Sequence, residues 1–177
     1  MTERNTLVRS LHDVGLAAWF GGSLMGAVGL NGAAAQARDP QERLTLSSAG
    51  WARWAPVSAA TIGTHLIGGL GLIGGNKARL GAQSGARTNT MVKTALTAVA
   101  IAATAYSGLL GRKVSRLSHE GAAGATEPAE TSSSELASAQ RQLRINQWAI
   151  PVLTGSLLVL GAQQGEQQRP VAGLFGR

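Results

Sequence analysis

The sequence predicts an all-α fold, a bundle of four transmembrane helices, and three observations support this prediction. The chain of 177 residues contains four long stretches without any charged residue, each 18 to 24 residues in length. A helix needs roughly 20 residues to cross a hydrocarbon core of about 30 Å. Charged residues make up only 14% of the chain, and its 24 glycines are a content that membrane helices tolerate better than helices in water.

We expect one helix within each charge-free stretch. The predicted bounds are about residues 14–35, 55–76, 94–111 and 145–163. Basic residues flank the stretches, at Arg53, Lys93, Arg112 and Arg144. Long cationic side chains at such positions can reach the lipid headgroups. A soluble four-helix bundle is disfavoured, because its helices would need a charged outer face, which these stretches lack.

The connections between the helices differ in composition. The first two are expected to be short, whereas residues 118–140 consist mainly of Gly, Ala, Glu, Ser and Thr. Such a segment buries too little apolar surface to offset the entropy lost on ordering it. A disordered loop is therefore predicted between the third and fourth helices. A polar tail is expected over 164–177, and we interpret residues 1–177 as a single membrane domain.

Tryptophan and proline mark the predicted entries into the membrane. Trp51 and Trp54 precede the second stretch and Trp148 opens the fourth, as expected for an aromatic belt at the membrane interface. Pro56 and Pro151 follow closely. We expect them in the first helical turn, where the missing N–H would have no helical partner.

The first stretch allows a second interpretation, a cleaved signal peptide. Arg4 and Arg9 precede the apolar run, and Ala35-Gln36-Ala37 resembles a cleavage site made of small residues. The run is longer than the usual apolar core of about 7–15 residues. A retained membrane helix is therefore favoured.

The basic residues do not decide the orientation in the membrane. The net charge is +7, and eight basic residues fall on each predicted side. The positive-inside rule therefore adds only a bias from Arg4 and Arg9, which favours cytoplasmic termini. We expect a multi-pass protein of the cell (plasma) membrane whose basic flanks contact anionic lipids in the lipid bilayer. Nucleic-acid binding is not expected, because no basic stripe with interleaved aromatic residues is present.

Few residues in this sequence could carry chemistry. The absence of Cys excludes disulfides, thiolate metal sites and thiol nucleophiles. The four stretches contain no carboxylate, and no phosphate-binding loop or catalytic triad can be argued. A haem between His12 and His65 is disfavoured, because their predicted depths in the membrane differ by roughly 15 Å. We therefore predict no catalytic residue, no cofactor, no metal site and no enzymatic activity.

His65 is the strongest single candidate for function. It is predicted near the bilayer midplane, and an ionisable residue inside a membrane is by default a functional candidate. With the hydroxyls of Thr61 and Thr64 it defines a candidate intramembrane polar site. The alternative is a neutral imidazole hydrogen-bonded to Thr61 or to a neighbouring helix. His12 is interpreted as an interfacial residue, and His119 as solvent-exposed.

Small residues at four-residue spacing predict helix-packing faces. Such residues line one side of a helix and let neighbouring backbones approach closely. The faces include Gly22 and Gly26 on the first helix and Gly68, Gly71 and Gly75 on the second. They suit either oligomerisation or packing within the bundle. The second use is favoured, because chance matches are frequent at this glycine content.

Four runs of this chain resemble an uncharacterised family of small actinobacterial four-helix integral membrane proteins. The runs are LHDVGLAAWFGGSLMGAVGLNGAAA (11–35), WAPVSAATIGTHLIGG (54–69), KTALTAVAIAATAYSGLLGRKV (93–114) and QWAIPVLTGSLLVL (147–160). The resemblance covers nearly the whole chain and implies four membrane helices. It implies no activity, cofactor or catalytic residue.

Together these observations predict an integral membrane protein with a non-enzymatic structural, accessory or interaction role. Abundant packing faces and scarce reactive groups favour this role. The expected partner is a second copy of the chain, giving a homo-oligomer, or another membrane protein. The alternative is a small transporter or channel with His65 lining a path.

Overall fold

The computed structural model describes residues 6–75, 77 and 84–167, and this part of the chain is almost entirely helical, with no β-strand. The predicted all-α class is confirmed. The helices are α1 (Thr6–Met25), α2 (Asn31–Ala34), α3 (Pro40–Gly75), α4 (Ser84–Arg116) and α5 (Ser134–Gln167). A π-helical segment, Gly26–Leu30, joins α1 to α2, so that the helical run continues from position 6 to position 34.

Within the described residues, four helical runs are long and apolar enough to cross a membrane. They are Thr6–Ala34, Pro40–Gly75, Arg87–Arg116 and Ser134–Gln163. α1 packs against α3 and α5, and α4 packs against α5 and, less extensively, α3. These contacts make the four runs a bundle, as the sequence predicts.

Each helix extends beyond at least one end of the charge-free stretch that predicted it. The prediction placed the helix ends at the first charged residues. A helix continues past such residues, however, when one of its faces packs on neighbouring helices. α3 begins at Pro40 rather than near 55, and Pro56 and Pro151 consequently lie in helix interiors rather than in first turns. α5 also runs through the start of the predicted tail, whose residues 168–177 lie outside the described part, as does position 76.

The helix extensions pack together at the end of the bundle where α2 leads into α3 and α4 leads into α5. We call this part, residues 35–46 and 110–143, the cap. Its core consists of buried apolar side chains, Leu44, Leu110, Val114, Ala122, Leu136, Ala139 and Leu143. A separate cluster fills the middle of the bundle, with Leu16, Trp19, Ala100, Ile150 and Leu157. The molecule therefore has two cores, and one of them lies largely outside the charge-free stretches.

In place of the disorder predicted for 118–140, the structure has a packed connection. Gly121 has a φ of 73° and turns the chain back onto the start of α3. The Ala122 N–H then donates to the Pro40 carbonyl at 3.2 Å, and Ala122 is fully buried. α5 already begins at Ser134. This segment has few large apolar side chains. Small Ala side chains and the backbone hydrogen bond to Pro40 of α3 are nevertheless enough to order it.

Side chains from the helices also tie this connection down. Gln140 on α5 is fully buried, and its Nε2 donates to the carbonyls of Gly124 and Ala125 at 2.9 and 3.2 Å. Arg43 on α3 donates from Nη1 to the Ala123 carbonyl at 3.2 Å. Both side chains donate hydrogen bonds to loop carbonyls that would otherwise lack a partner within the protein.

Candidate functional site: a histidine pair between two helices

The register of α1 against α3 brings His12 and His65 together. Only residues 35–39 separate α2 from α3, so the two helical runs form a tight antiparallel hairpin. Gly22 faces Trp54 in this hairpin, and the same register carried further places His12 beside His65. The predicted depth difference of roughly 15 Å is wrong, because it assumed that α3 begins near 55.

The two imidazole rings are in direct contact. Their centroids lie 4.3 Å apart, with the ring planes inclined by 40°. The Nδ1 atom of His65 lies 3.0 Å from the backbone carbonyl oxygen of His12. A carbonyl oxygen only accepts, so Nδ1 of His65 carries a proton and donates it. His65 is 4% exposed, and the buried ring of Trp19 lies against it with a centroid distance of 6.4 Å.

A carboxylate and two cationic side chains surround the pair. The Oδ1 atom of Asp13 lies 2.8 Å from Nδ1 of His12, and the Asp13 side chain is exposed. Arg9 lies one turn earlier on α1, and Lys93 on α4 is close enough to interact electrostatically with Asp13 and His65. These charges belong to the end of the bundle rather than its middle. His65 therefore has charged neighbours on α1 and α4, and its depth near the bilayer midplane stays a prediction.

Two glycines allow the helices to approach closely at the histidine pair. A Cβ atom at Gly68 would lie 2.3 Å from the backbone nitrogen of His12. A Cβ atom at Gly15 would lie 2.6 Å from the backbone nitrogen of His65. Neither position accepts a side chain unless the backbones move apart. Gly68 was predicted as a packing residue, whereas Gly15 was missed because it stands outside the four-residue ladder.

Three of the other predicted packing glycines, Gly22, Gly26 and Gly71, also face the hairpin, where they receive side chains of the opposite helix. Added Cβ atoms at Gly22 and Gly26 would lie 1.8 and 2.3 Å from the rings of Trp54 and Trp51. The same atom at Gly71 would lie 2.5 Å from the Val8 side chain, and Gly75 is the last residue of α3. These contacts are intramolecular.

Trp51 and Trp54 pack within the hairpin, and their place in an aromatic belt at the membrane interface stays a prediction. Each ring packs on a glycine of the first helical run and is half-buried. The Nε1 of Trp51 also donates to Asn31 Oδ1 at 2.9 Å. Trp148 is 49% exposed, as a belt residue should be. Gly22 and Gly26, which lie opposite the two rings, are the sequence signal for this packing.

Thr61 and Thr64 do not join His65 in a polar site. The Thr61 hydroxyl donates to the Ser58 carbonyl and the Thr64 hydroxyl to the Ala60 carbonyl, each at 2.8 Å. Both hydroxyls are thus satisfied within α3, a common arrangement for such residues inside a helix. Thr64 is half-buried, and its hydroxyl bonds to the Ala60 carbonyl rather than to the buried imidazole.

A second buried polar cluster joins α2, α3 and α5, and sequence analysis missed it. Asn31 Nδ2 donates to Gln147 Oε1 at 2.6 Å, and Asn31 Oδ1 accepts from the Ser47 hydroxyl at 3.1 Å as well as from Trp51. Asn31, Ser47 and Gln147 are all buried. Carboxamides inside two separate charge-free stretches were the signal that could have revealed it.

The histidine pair does not have the geometry of a metal centre. Among the described residues, no group of three or more His, Cys, Asp or Glu side chains could hold a metal ion. A metal–nitrogen bond is about 2.0–2.1 Å long, so two imidazoles on opposite sides of one ion have centroids well over 4 Å apart. The rings of His12 and His65 are too close for this arrangement.

Comparison with known proteins finds no match for this chain among family models, curated proteins or solved structures. The resemblance to small actinobacterial membrane proteins therefore stays a prediction.

Proposed function

We propose that this chain is a non-enzymatic accessory protein of the cell (plasma) membrane that binds a partner protein through its cap. The observation that carries the proposal is the order of the cap. Six of the nine acidic residues lie there, at Asp39, Glu42, Glu120, Glu127, Glu130 and Glu135. Ordering a loop costs roughly 1–2 kcal/mol per residue in backbone entropy. A surface that is already ordered binds a partner without that cost at the moment of association.

The proposal also specifies where the partner binds on the molecule. Four of the predicted small-residue positions, at Gly22, Gly26, Gly68 and Gly71, are occupied by contacts between α1 and α3. A second copy or another membrane protein would therefore bind at the cap rather than along these faces. The basic flanks would contact anionic lipids.

In the proposed orientation, both termini are cytoplasmic and the cap lies on the opposite side of the membrane. Arg4 and Arg9, which precede the first charge-free stretch, support this orientation through the positive-inside rule. The chain has no Cys, so single cysteines can be introduced without background. An impermeant maleimide added to intact cells should label Glu130→Cys and leave Lys77→Cys unlabelled. The reverse pattern would place the cap in the cytoplasm.

Photo-crosslinking in living cells tests the partner. A photoreactive amino acid is placed at Glu130 in the cap, and at Val152, which is 66% exposed within the span of α5, as the matched control. We expect a discrete protein adduct from position 130 and lipid adducts alone from position 152. An adduct of twice the chain mass would identify the partner as a second copy. Absence of a protein adduct at 130 and at other exposed cap positions would contradict the proposal.

A small transporter or channel is the second candidate function. The observation that favours it is the cluster of His12, Asp13 and His65 at one end of the spans. The hydroxyls of Thr61 and Thr64 bond within their own helix and give it no support. Ion and proton flux into reconstituted vesicles, compared between wild type and His65→Ala, separates the candidates. Flux that disappears in the variant would favour transport.

A further inference from the structure

The histidine pair differs from two independent imidazoles because its rings touch. Imidazole is the side chain whose charge ordinarily changes between pH 5 and 8. Two positive charges at 4.3 Å repel each other strongly, and the repulsion grows where water is excluded. Protonation of His12 therefore opposes protonation of His65, and the pair titrates as one coupled unit.

The hydrogen bonds assign each imidazole a different role. His65 already uses Nδ1 to donate to the His12 carbonyl, so an added proton would have to bind Nε2 of a buried ring. Nδ1 of His12 faces the Asp13 carboxylate at 2.8 Å, and a carboxylate can stabilise an imidazolium at that distance. The arrangement thus offers one favourable position for a positive charge, on His12.

The neighbouring helices reinforce this limit of one charge. Arg9 on α1 and Lys93 on α4 add positive charge near the pair, which disfavours a second protonation. Residues 55–75 of α3 and 145–165 of α5 include no charged side chain. Asp13 is therefore the carboxylate that balances a proton on the pair.

We propose that His12, His65 and Asp13 form a single proton-binding site shared by α1 and α3, in which a positive charge on one imidazole excludes a positive charge on the other. The site joins the two helices at the level of Gly15 and Gly68, where their backbones are in contact. Forcing a second proton onto it would therefore separate α1 from α3 at this end of the hairpin. This proposal does not depend on the partner-binding role of the cap.

NMR of the imidazole rings tests the proposal directly. The chain contains three histidines, so His119→Gln in the exposed loop leaves only the pair to observe. The full-length protein with this background is titrated from pH 8.5 to 4.5 in nanodiscs, with isotope-labelled histidine. We expect the imidazolium signal to appear on His12. His65 should stay neutral until the NMR signals of the hairpin residues broaden at the acidic end of the titration.

Two variants show whether the groups act together. Asp13→Asn should make the imidazolium signal of His12 weaker at a given pH, because the carboxylate that faces its Nδ1 is lost. His65→Asn should leave His12 titrating in one uncomplicated step and abolish the acid-induced broadening. Since Asp13 is exposed, Asp13→Asn is expected to fold and keeps the test informative if His65→Asn does not. Independent midpoints that neither variant changes, or the absence of any titration across this range, would overturn the proposal.

Discussion

The hairpin of α1 and α3 and the pair of α4 and α5 both contain glycine, but among the described residues only the hairpin has glycines that face the backbone of the other helix. In the hairpin, Gly15 and Gly68 each face the backbone of the other helix, and no side chain fits. In the second pair, the positions of Gly108, Gly111 and Gly161 are open, with no atom near an added Cβ. Glycine content therefore does not locate a packing face. The register of the two helices decides which glycines are required.

Contacts between side chains dominate in the pair of α4 and α5. The Tyr106 hydroxyl donates to Gln142 Oε1, and Lys113 Nζ lies 2.9 Å from Glu135 Oε1. Both contacts are exposed, and such contacts contribute little to stability, typically 0–1 kcal/mol. In the hairpin the backbones themselves are in contact, so substitutions there should have the larger effects.

The largest expected effect comes from a disulfide that tests the hairpin register. The Cβ of Val8 lies 3.5 Å from the position of a Cβ built on Gly71, within the range of about 3.5–4.5 Å found in disulfides. Val8→Cys combined with Gly71→Cys should cross-link almost completely under mild oxidation, as a mobility shift on a gel. Gly26→Cys combined with Thr64→Cys is the control. These two positions would be adjacent only if the predicted helices 14–35 and 55–76 paired end to end. Cross-linking of this second pair, without the first, would refute the register.

Gly68→Ala should have the next largest effect. The added methyl group meets the His12 backbone, which can accommodate it only if the helices separate. Overpacking of this kind typically costs about 1–3 kcal/mol. Gly108→Ala is the matched control, because its Cβ meets open space and Ala favours a helix over Gly by roughly 0.8–1 kcal/mol. Unfolding in detergent should show opposite signs for the two variants, and equal signs would contradict the comparison.

How much of the fold and of the histidine pair could be predicted depends on which residues carry a sequence signal. Four helices could be predicted because the absence of charge over about 20 residues has one common physical cause, the bilayer. The helix ends could not, since α3 continues to Pro40 through Glu42 and Arg43 by packing on its neighbours. Once that end was misplaced, the register was misplaced as well. The contact of His12 with His65 depends on the register alone, so no local pattern could reveal it.

The cap also shows a limit of sequence-based prediction, because here the sequence predicts less order than the structure has. Its composition suggests disorder, and individual Ala residues carry no signal of burial. Ala122 is buried because Gly121 turns the chain and Pro40 supplies a carbonyl, and these two positions are far apart in sequence. The composition of a segment carries no information about such long-range pairs.

Asn31→Ala should destabilise the junction between the hairpin and α5. The substitution leaves the Ser47 hydroxyl, the Trp51 indole and the Gln147 carbonyl without their shared partner. Buried polar groups left unpaired cost about 1–3 kcal/mol, although measured values within membranes are often nearer 0.6. We therefore expect a loss of roughly 1 kcal/mol in unfolding experiments. Asn146→Ala is the control, because that carboxamide donates to the Gln142 carbonyl of its own helix. An equally large loss of stability in Asn146→Ala would contradict the special role of Asn31.

The smallest expected effect lies in the cap and depends on pH. The backbone N–H and then the hydroxyl of Ser133 donate to the Glu120 carboxylate at 2.9 and 3.0 Å, and they hold the pKa of Glu120 below its ordinary value. A carboxyl group whose pKa is lowered by folding stabilises the folded state when it is ionised. The stabilisation is complete above the ordinary pKa of a glutamate, about 4.3, and is lost as the pH falls through the lowered value.

Glu120→Gln should therefore lower the thermal midpoint slightly at pH 7 and have less effect as the pH falls through the lowered pKa, where the wild-type carboxylate becomes protonated as well. The hydroxyl of Ser133 also accepts from the Leu136 N–H at the first turn of α5, so the loss should begin at this end of the helix. Glu130→Gln in the same exposed loop changes the net charge equally and serves as the control. If both variants show the same pH dependence, the effect is one of net charge, and the hydrogen bonds to Glu120 do not hold the cap in place.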